Sequence, residues 1–525
     1  MESDRVAWAE AVRAALSRYD DSLLRSVAAR LFKPRNQWPA DELVARSVAT
    51  LSNTPVIDRR LRELPPSSRH LVAAVGLSRN SSWSVGQLVA VLATIGHSEG
   101  LAPLLVLLDA GLAFPVLPDG TNVIRQWEDW LGSRPTAARV FIPPPVADRA
   151  TRDGLPLPQL SGKAFEAKVI HAADGLEWPL RLGVLWQQLR AAPVRLTQAS
   201  ALFKRDLTRL QADPILGTSP VDLAVDVPEA GVLAMGMGMA AGLFVAEAGE
   251  LRTGRSPPEW DTGLLPTIAG LWAALPGIAH WDPLRGYFLT EEGEPFPTVA
   301  LPALLLLAAQ PDGVWTHPAD VAEYLISRHP SWPAALRGGV DDAENWVEAM
   351  LLGWALPSRL VEATEDGEGW WVRLTGVGRH LLAGGPAPDL RPPFPQCLVV
   401  QPNGDVVAYR QGLTPGLIAS LSRFADWKGL GPACTLGLTA ESVYRGLESG
   451  LTLADIAVVL QQHSAHAVPA NVLDLVRRWA GKRERITVHT SATLLEFGSP
   501  GDLEAAVVRG LVAQKLTDRI GLADG

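Results

Sequence analysis

Two Gly-Lys pairs, Gly162-Lys163 in SGKAFEAK and Gly481-Lys482 in AGKRERIT, come nearest to phosphate chemistry in this 525-residue sequence. A loop that cradles nucleotide phosphates needs spaced glycines, a lysine, and a Ser or Thr hydroxyl directly after it for magnesium. Ala164 and Arg483 stand in that hydroxyl position, and no upstream glycine has the right spacing. No Asp-Glu-x-His/Asp box is present to hold the metal. Gly236-x-Gly238-x-x-x-Gly242 echoes a dinucleotide loop, but no Val/Ile-rich strand leads into it, and close helix packing is the simpler reading. His463 and His466 have no third ligand nearby, so His463 is read as a capping or packing residue. Glu291-Glu292-Gly293-Glu294 reads as a solvated turn. No catalytic residue, cofactor or metal site is expected.

What remains is cationic contact with phosphate. In LFKRDLTRL, Phe203, Leu207 and Leu210 fall on one helical face, while Lys204, Arg205 and Arg209 project from the other. That geometry suits phosphate or base-edge contact. The bland alternative is a solvated face on which Asp206 pairs with Arg209.

The elements that would position these residues follow a recurring pattern. Residues 1–70 read as helices, with Leu23, Leu24, Val27, Ala28 and Leu31 at 3.6-residue spacing and Pro39-Ala-Asp-Glu-Leu opening the next. Three stretches then repeat apolar helices followed by a β-hairpin, over 71–133, 175–256 and 257–384. Pro-rich segments at 134–174 and 385–395 read as linkers or straps. Three helices plus a hairpin is the winged-helix pattern, whose third helix normally enters the major groove. In the first copy that helix, 98–111, carries no Lys or Arg; in the third it is crowded by Asp341, Asp342, Glu344 and Glu348. Phosphates would repel both, so packing or protein contact is expected there. The second copy, with LFKRDLTRL, is the DNA-contact candidate. Trp370-Trp371 on the third hairpin must point to opposite faces, leaving one available to stack on a base or dock a partner.

The last segment opens with CLVVQPNGDVVAY, where Asn403-Gly404 between β-branched runs predicts a hairpin with a type I′ turn. A helix over 415–424, a strand over 433–438 and three more helices follow. Thr439 and Thr452 are N-cap candidates, as is Thr375 earlier, and Gly450 is a stop. The last of the three helices begins near Pro469 and is expected to end at Trp479-Ala480-Gly481; RITVHTSATLLEFGSP then supplies two strands and GDLEAAVVRGLVAQ a final helix. The fold expected is mainly α with α+β elements: tandem winged-helix-like modules and a C-terminal α/β domain over 396–525.

Composition agrees with a folded, non-membrane protein: 47% hydrophobic, 20% charged, net charge −9. Any nucleic-acid contact must therefore be a local patch. Two cysteines are too few for a disulfide framework, and a reducing cytoplasmic location is expected. The uncharged run at 230–246 is too short and glycine-rich for a membrane span and reads as a buried helix. Eighteen tryptophans, among them Trp8, Trp83, Trp186, Trp272, Trp346 and Trp354, read mostly as core.

Several residues of the last 130 or so carry a family resemblance. Gln401-Pro402 with its hairpin, Thr439, Ser442, Leu447, Gly450, Ile456, Leu460, His463-Ser464, Pro469, Asn471-Val472 and Trp479 resemble the N-terminal domain of XPB helicases. A bacterial group of helicase-associated proteins carries that domain behind winged-helix repeats, and ARLFKPRNQWPADELVARSVATL and LTQASALFKRDLTRL are similar to it. The resemblance implies DNA engagement or regulation of a motor. On that analogy Arg477, Arg478, Lys482, Arg483 and Arg485 become phosphate-contact candidates, although cations also suit a helix C-terminus. The implied protein is a DNA-associated accessory factor without a motor, partnered by DNA and by a separate helicase, repair or transcription protein. The rival is a protein-interaction scaffold that never touches DNA.

Overall fold

The protein is described from a computed structural model covering residues 2–118, 123–132, 135–197, 201–220, 225–278, 280–287, 295–332, 336, 340–483, 499 and 501. Helices dominate, and the sheets are small and antiparallel. The opening helices Glu2–Leu16, Asp21–Leu31, Ala40–Leu51 and Thr54–Glu63 form because one apolar stripe per helix finds a core. Leu24, Val27, Ala28 and Leu31 are buried as their spacing requires, with Leu23 at the margin. Asp20 caps the second helix by accepting from the Leu23 N–H at 2.7 Å.

Three times thereafter the chain runs helix, short strand, helix, helix, strand, strand. The first unit is Pro66–Ser78, Ser82–Ser84, Val85–Thr94, Ala102–Asp109, Phe114–Pro115 and Arg139–Phe141. The second is Glu177–Ala191, Val194–Arg195, Lys204–Gln211, Ala230–Ala240, Phe244–Glu247 and Glu250–Thr253. The third is Pro295–Ala308, Thr316, Pro318–Arg328, Val340–Met350, Val361–Asp366 and Gly369–Leu374. In each, the last strand lies in the middle, pairing with the early short strand on one side and its hairpin partner on the other. The same connectivity thus recurs on residues that share little sequence.

Two sequence expectations change here. The third helix of the second unit is Ala230–Ala240, buried nearly all round, so Lys204–Gln211 is the second helix. The run 134–174 is more than a linker: Arg139–Phe141 is the central strand of the first unit's sheet, and Pro144–Ala150 packs beside Pro66–Ser78. Gly76 permits that packing, since a Cβ there would sit 2.6 Å from the Ala147 carbonyl oxygen.

The remainder of 134–174 straps across the third unit. Lys163 and Trp315 exchange backbone hydrogen bonds at 2.8 and 2.9 Å, and His171 and Ala363 do so at 2.7 and 2.9 Å. Gly162 is required there because a Cβ would meet Val314 Cγ1 at 2.3 Å.

The C-terminal unit is a four-stranded antiparallel sheet in the order Leu398–Val400, Asp405–Tyr409, Ala433–Gly437, Asp426–Gly429. Around it lie the helices Pro415–Phe424, Ala440–Glu448, Leu453–His463 and Ala470–Arg483. Thr375, Thr439 and Thr452 cap their helices, the last two as reciprocal capping boxes, and Gly450 takes φ 90° just past a helix end. The first hairpin forms, but not on a type I′ turn. Only Gly404 has positive φ, 89°, and its N–H donates to the Gln401 carbonyl at 3.0 Å. Pro402, with φ preset negative, takes the first central position, and Gly404 becomes the bulge residue. The last helix continues to Arg483, past the expected stop at Gly481. The strands expected after it, and the final helix, lie outside the described residues apart from Ser499 and Gly501.

This unit is bolted to the second repeat. Glu177–Ala191 is buried on all sides and packs against Pro415–Phe424. Gln187 Nε2 donates to the Ser422 carbonyl at 3.0 Å, and its Oε1 accepts from the Trp427 N–H at 3.3 Å. Arg410 forks onto both oxygens of Asp174 at 2.8 Å and reaches Glu177 at 3.1 Å, which also holds Arg181 at 2.8 Å.

Candidate nucleic-acid interface

Strand Val194–Arg195 and helix Lys204–Gln211 meet at one corner of the second repeat. Asp206, 8% exposed, accepts from the Arg195 N–H at 3.2 Å, tying the helix to the strand. Its other oxygen lies 3.5 Å from Arg209, whose guanidinium donates to the Ala192 carbonyl at 3.1 Å. Arg209, its side chain 38% exposed, is thus paired with Asp206 as the bland alternative has it, and is also tied to the backbone. Lys204 and Arg205 are exposed, and neither forms an ion pair among the described residues. Phe203, expected on the apolar face, sits at the N-cap and is 47% exposed; only Leu207 and Leu210 turn inward.

Sequence reasoning missed Arg195 and Arg252, which are exposed on strands of the adjoining sheet. Arg252 pairs with Glu250 at 3.0 Å, and Arg195 stands opposite Glu250 in register. Their isolation in short strands gave no local signal. The fold brings the Arg195 backbone to the start of the helix that carries Lys204 and Arg205, where its carbonyl accepts from the Phe203 N–H at 3.5 Å.

The other candidates divide. Arg477 and Arg478 are exposed on helix Ala470–Arg483, and Arg477 pairs with Asp474 at 2.7 Å. The side chains of Lys482 and Arg483, and all of Arg485, lie outside the described residues, as does the acidic turn at 291–294. Trp370 and Trp371 do alternate across their strand, and Trp371 is not free to stack. Trp371 is 3% exposed, with Phe165 at 5.8 Å, His317 at 5.2 Å and the Lys163 ammonium 4.6 Å from its ring. Trp370 is half-buried with His171 at 5.2 Å. The 158–172 strap covers both, a long-range pairing invisible in local pattern.

Neither Gly-Lys pair forms a phosphate loop in the described residues: Lys163 is held by Glu368 at 2.5 Å within the strap, and Gly481-Lys482 lies inside a helix. Gly238 serves packing, since a Cβ would strike the Phe244 ring at 2.3 Å. His463 Nδ1 lies 3.3 Å from the Pro395 carbonyl oxygen. Among the described residues no His, Cys, Asp or Glu group could hold a metal, and no helix is long and apolar enough to cross a membrane. Of the six tryptophans named above, all but Trp186 are buried, and Trp186 is covered by Arg190 at 5.2 Å.

Residues 398–522 match the family described as the helicase conserved C-terminal domain. This is a helicase-associated domain, and it spans the four-stranded sheet and the helices around it. No curated protein matches the chain.

Proposed function

We propose that this chain is a non-catalytic, cytoplasmic, DNA-associated accessory factor acting in repair, transcription or helicase regulation. The observation that carries the reading is the helicase-associated domain at 398–522, joined by the Arg410 ion pairs to a repeat that presents Lys204, Arg205 and Arg195 to solvent. The finer assignment of that domain is to the XPB N-terminal type, on the residues from Gln401 to Trp479 quoted above. The helix–strand–helix–helix–strand–strand order, met three times, supports winged-helix modules. On this reading the chain has no motor of its own and works beside a separate one.

The test is a salt-series titration of the intact protein against single- and double-stranded DNA, beside a Lys204→Ala/Arg205→Ala variant. Steep weakening with salt, less steep in the variant, is expected if these cations displace counterions from phosphates. Absence of binding at low salt would refute the proposal.

One observation favours the scaffold reading instead. The third helices of the repeats, Ala102–Asp109, Ala230–Ala240 and Val340–Met350, contain no Lys or Arg. Groove reading through them is therefore not part of the proposal; phosphate contact through the second helix is.

A further inference from the structure

Charge is unevenly distributed along the chain. Residues 1–70 carry twelve Lys or Arg against nine Asp or Glu, whereas the rest carry 35 against 47. The excess concentrates where helix Asp21–Leu31 turns into helix Ala40–Leu51 through the 32–39 loop. That loop is fastened from below. Arg25, held by Asp21 at 2.8 Å, donates to the Asn36 and Trp38 carbonyls at 3.4 and 3.1 Å.

Above this anchor Trp38 organises the cations. The Arg46 guanidinium lies 4.3 Å from its ring centroid, that of Arg35 lies 5.7 Å away, and Phe32 flanks it at 6.2 Å. Lys33 and Arg35 are exposed, with Arg30 exposed in the preceding helical turn. Glu42 answers Arg46 at 2.6 Å, but among the described residues no carboxylate pairs with Arg30, Lys33 or Arg35. A guanidinium resting on an aromatic face loses little hydration at its N–H edges, which stay directed outward for a planar, oxygen-rich anion. Two uncompensated cations on this anchored loop, with a third in the preceding helical turn, repel one another unless an anion joins them.

We propose that the 32–39 loop, with Lys33 and Arg35 at its centre, is a second contact site for nucleic-acid phosphodiesters, separate from the Lys204–Gln211 corner. This rests on the DNA-associated reading above, and adds a second point of attachment to it. Nucleic acid is favoured over an anionic membrane because the loop presents no exposed large apolar side chain for insertion, and the chain elsewhere carries a helicase-associated domain.

The test uses the intact chain and a fluorescent 20-mer, duplex or single-stranded, with anisotropy recorded from 50 to 200 mM salt. Lys33→Ala/Arg35→Ala removes two exposed side chains, and circular dichroism checks that the fold is kept. Two lost phosphate contacts lower the salt slope by about 1.8 for duplex or about 1.4 for single strand. The fall in affinity over that salt range then shrinks about twelve-fold or about seven-fold. An unchanged slope here, while Lys204→Ala/Arg205→Ala does reduce it, overturns this site and leaves the proposed function standing. Lower affinity at unchanged slope also overturns the phosphate contact. No binding by the unaltered chain at 50 mM overturns both readings. Binding to phosphatidylglycerol vesicles without binding to either oligonucleotide overturns the nucleic-acid assignment.

Discussion

Replacing Arg410 by alanine should loosen the helicase-associated domain from the repeat beneath it. The Arg410 side chain is 18% exposed and satisfies Asp174 twice and Glu177 once, the latter 8% exposed. Removing one member of a buried ion pair costs about 3–5 kcal/mol, mostly because the surviving charge is left unpaired. Glu177 keeps Arg181 at 2.8 Å, and Asp174, 39% exposed, recovers some water. The loss is therefore expected at the lower end, about 3 kcal/mol. A chain of several units need not unfold in one step, so the appropriate assay is native-state hydrogen exchange in Asp405–Tyr409 and Pro415–Phe424. A 3 kcal/mol loss corresponds to roughly 150-fold faster exchange where opening is rate-determining by population. Arg410→Lys, which keeps the charge but not the fork, should fall between the two. The same cluster sets a pH limit. Burial raises the Asp174 carboxyl, but the Arg410 hydrogen bond and charge outweigh it and hold the group below its ordinary value. Protection is thus complete above the unfolded value, about pH 3.9, and is lost as pH falls through the lower folded one. Exchange changed by less than two-fold in Arg410→Ala would refute the argument that this network fastens the domain.

Two further outcomes follow from buried groups. His329, whose Nδ1 accepts from the Trp332 N–H at 2.9 Å and whose Nε2 meets Thr298 Oγ1 at 3.0 Å, is pushed down to about 4 by burial. The unfolded chain takes up that proton first, so stability is full above about pH 6.5 and declines toward pH 4; His329→Gln should flatten this decline in a melting-temperature series. Cys397 and Cys434 are both buried, and burial pushes the Cys397 thiol up to about 11 and also raises that of Cys434. A thiol-reactive chromogen at pH 8 should titrate neither in the folded protein and both after denaturation.

Local chemistry made much of the fold readable. Thr375, Thr439 and Thr452 cap helices because a hydroxyl, an extended backbone and an acceptor-poor first turn coincide in three or four consecutive residues. Pro415–Phe424 needed only its proline, its apolar spacing and its end. The errors came where pairing is long-range. Asp426–Gly429 is a strand only because Ala433–Gly437 lies beside it, and a β-irregularity between Trp427 and Gly429 breaks any alternation. Arg139–Phe141 hid among prolines for the same reason. Ala230–Ala240 was recognised as a buried helix, but its uniform apolarity carried no mark of its place in a repeat. In the candidate interface, the exposed pair Lys204 and Arg205 was legible from helical spacing. The backbone tether of Arg209 depends on the Ala192 carbonyl seventeen residues away, and the covering of Trp371 depends on Lys163 and Phe165, some two hundred residues earlier.

That last separation has a consequence for how the chain is made. Lys163 and His171 pair with Trp315 and Ala363, so they leave the ribosome about 150 and 190 residues before their partners exist. At synthesis rates of about 5–20 residues per second the interval is roughly 10–40 s. During it, Phe165, whose ring stacks on that of Trp315 at 5.9 Å, has not yet met its partner. The glycines and prolines of 154–162 suit such a wait, since they keep the segment from closing early into a helix or hairpin. Cutting the gene between the second and third repeats would make that wait permanent.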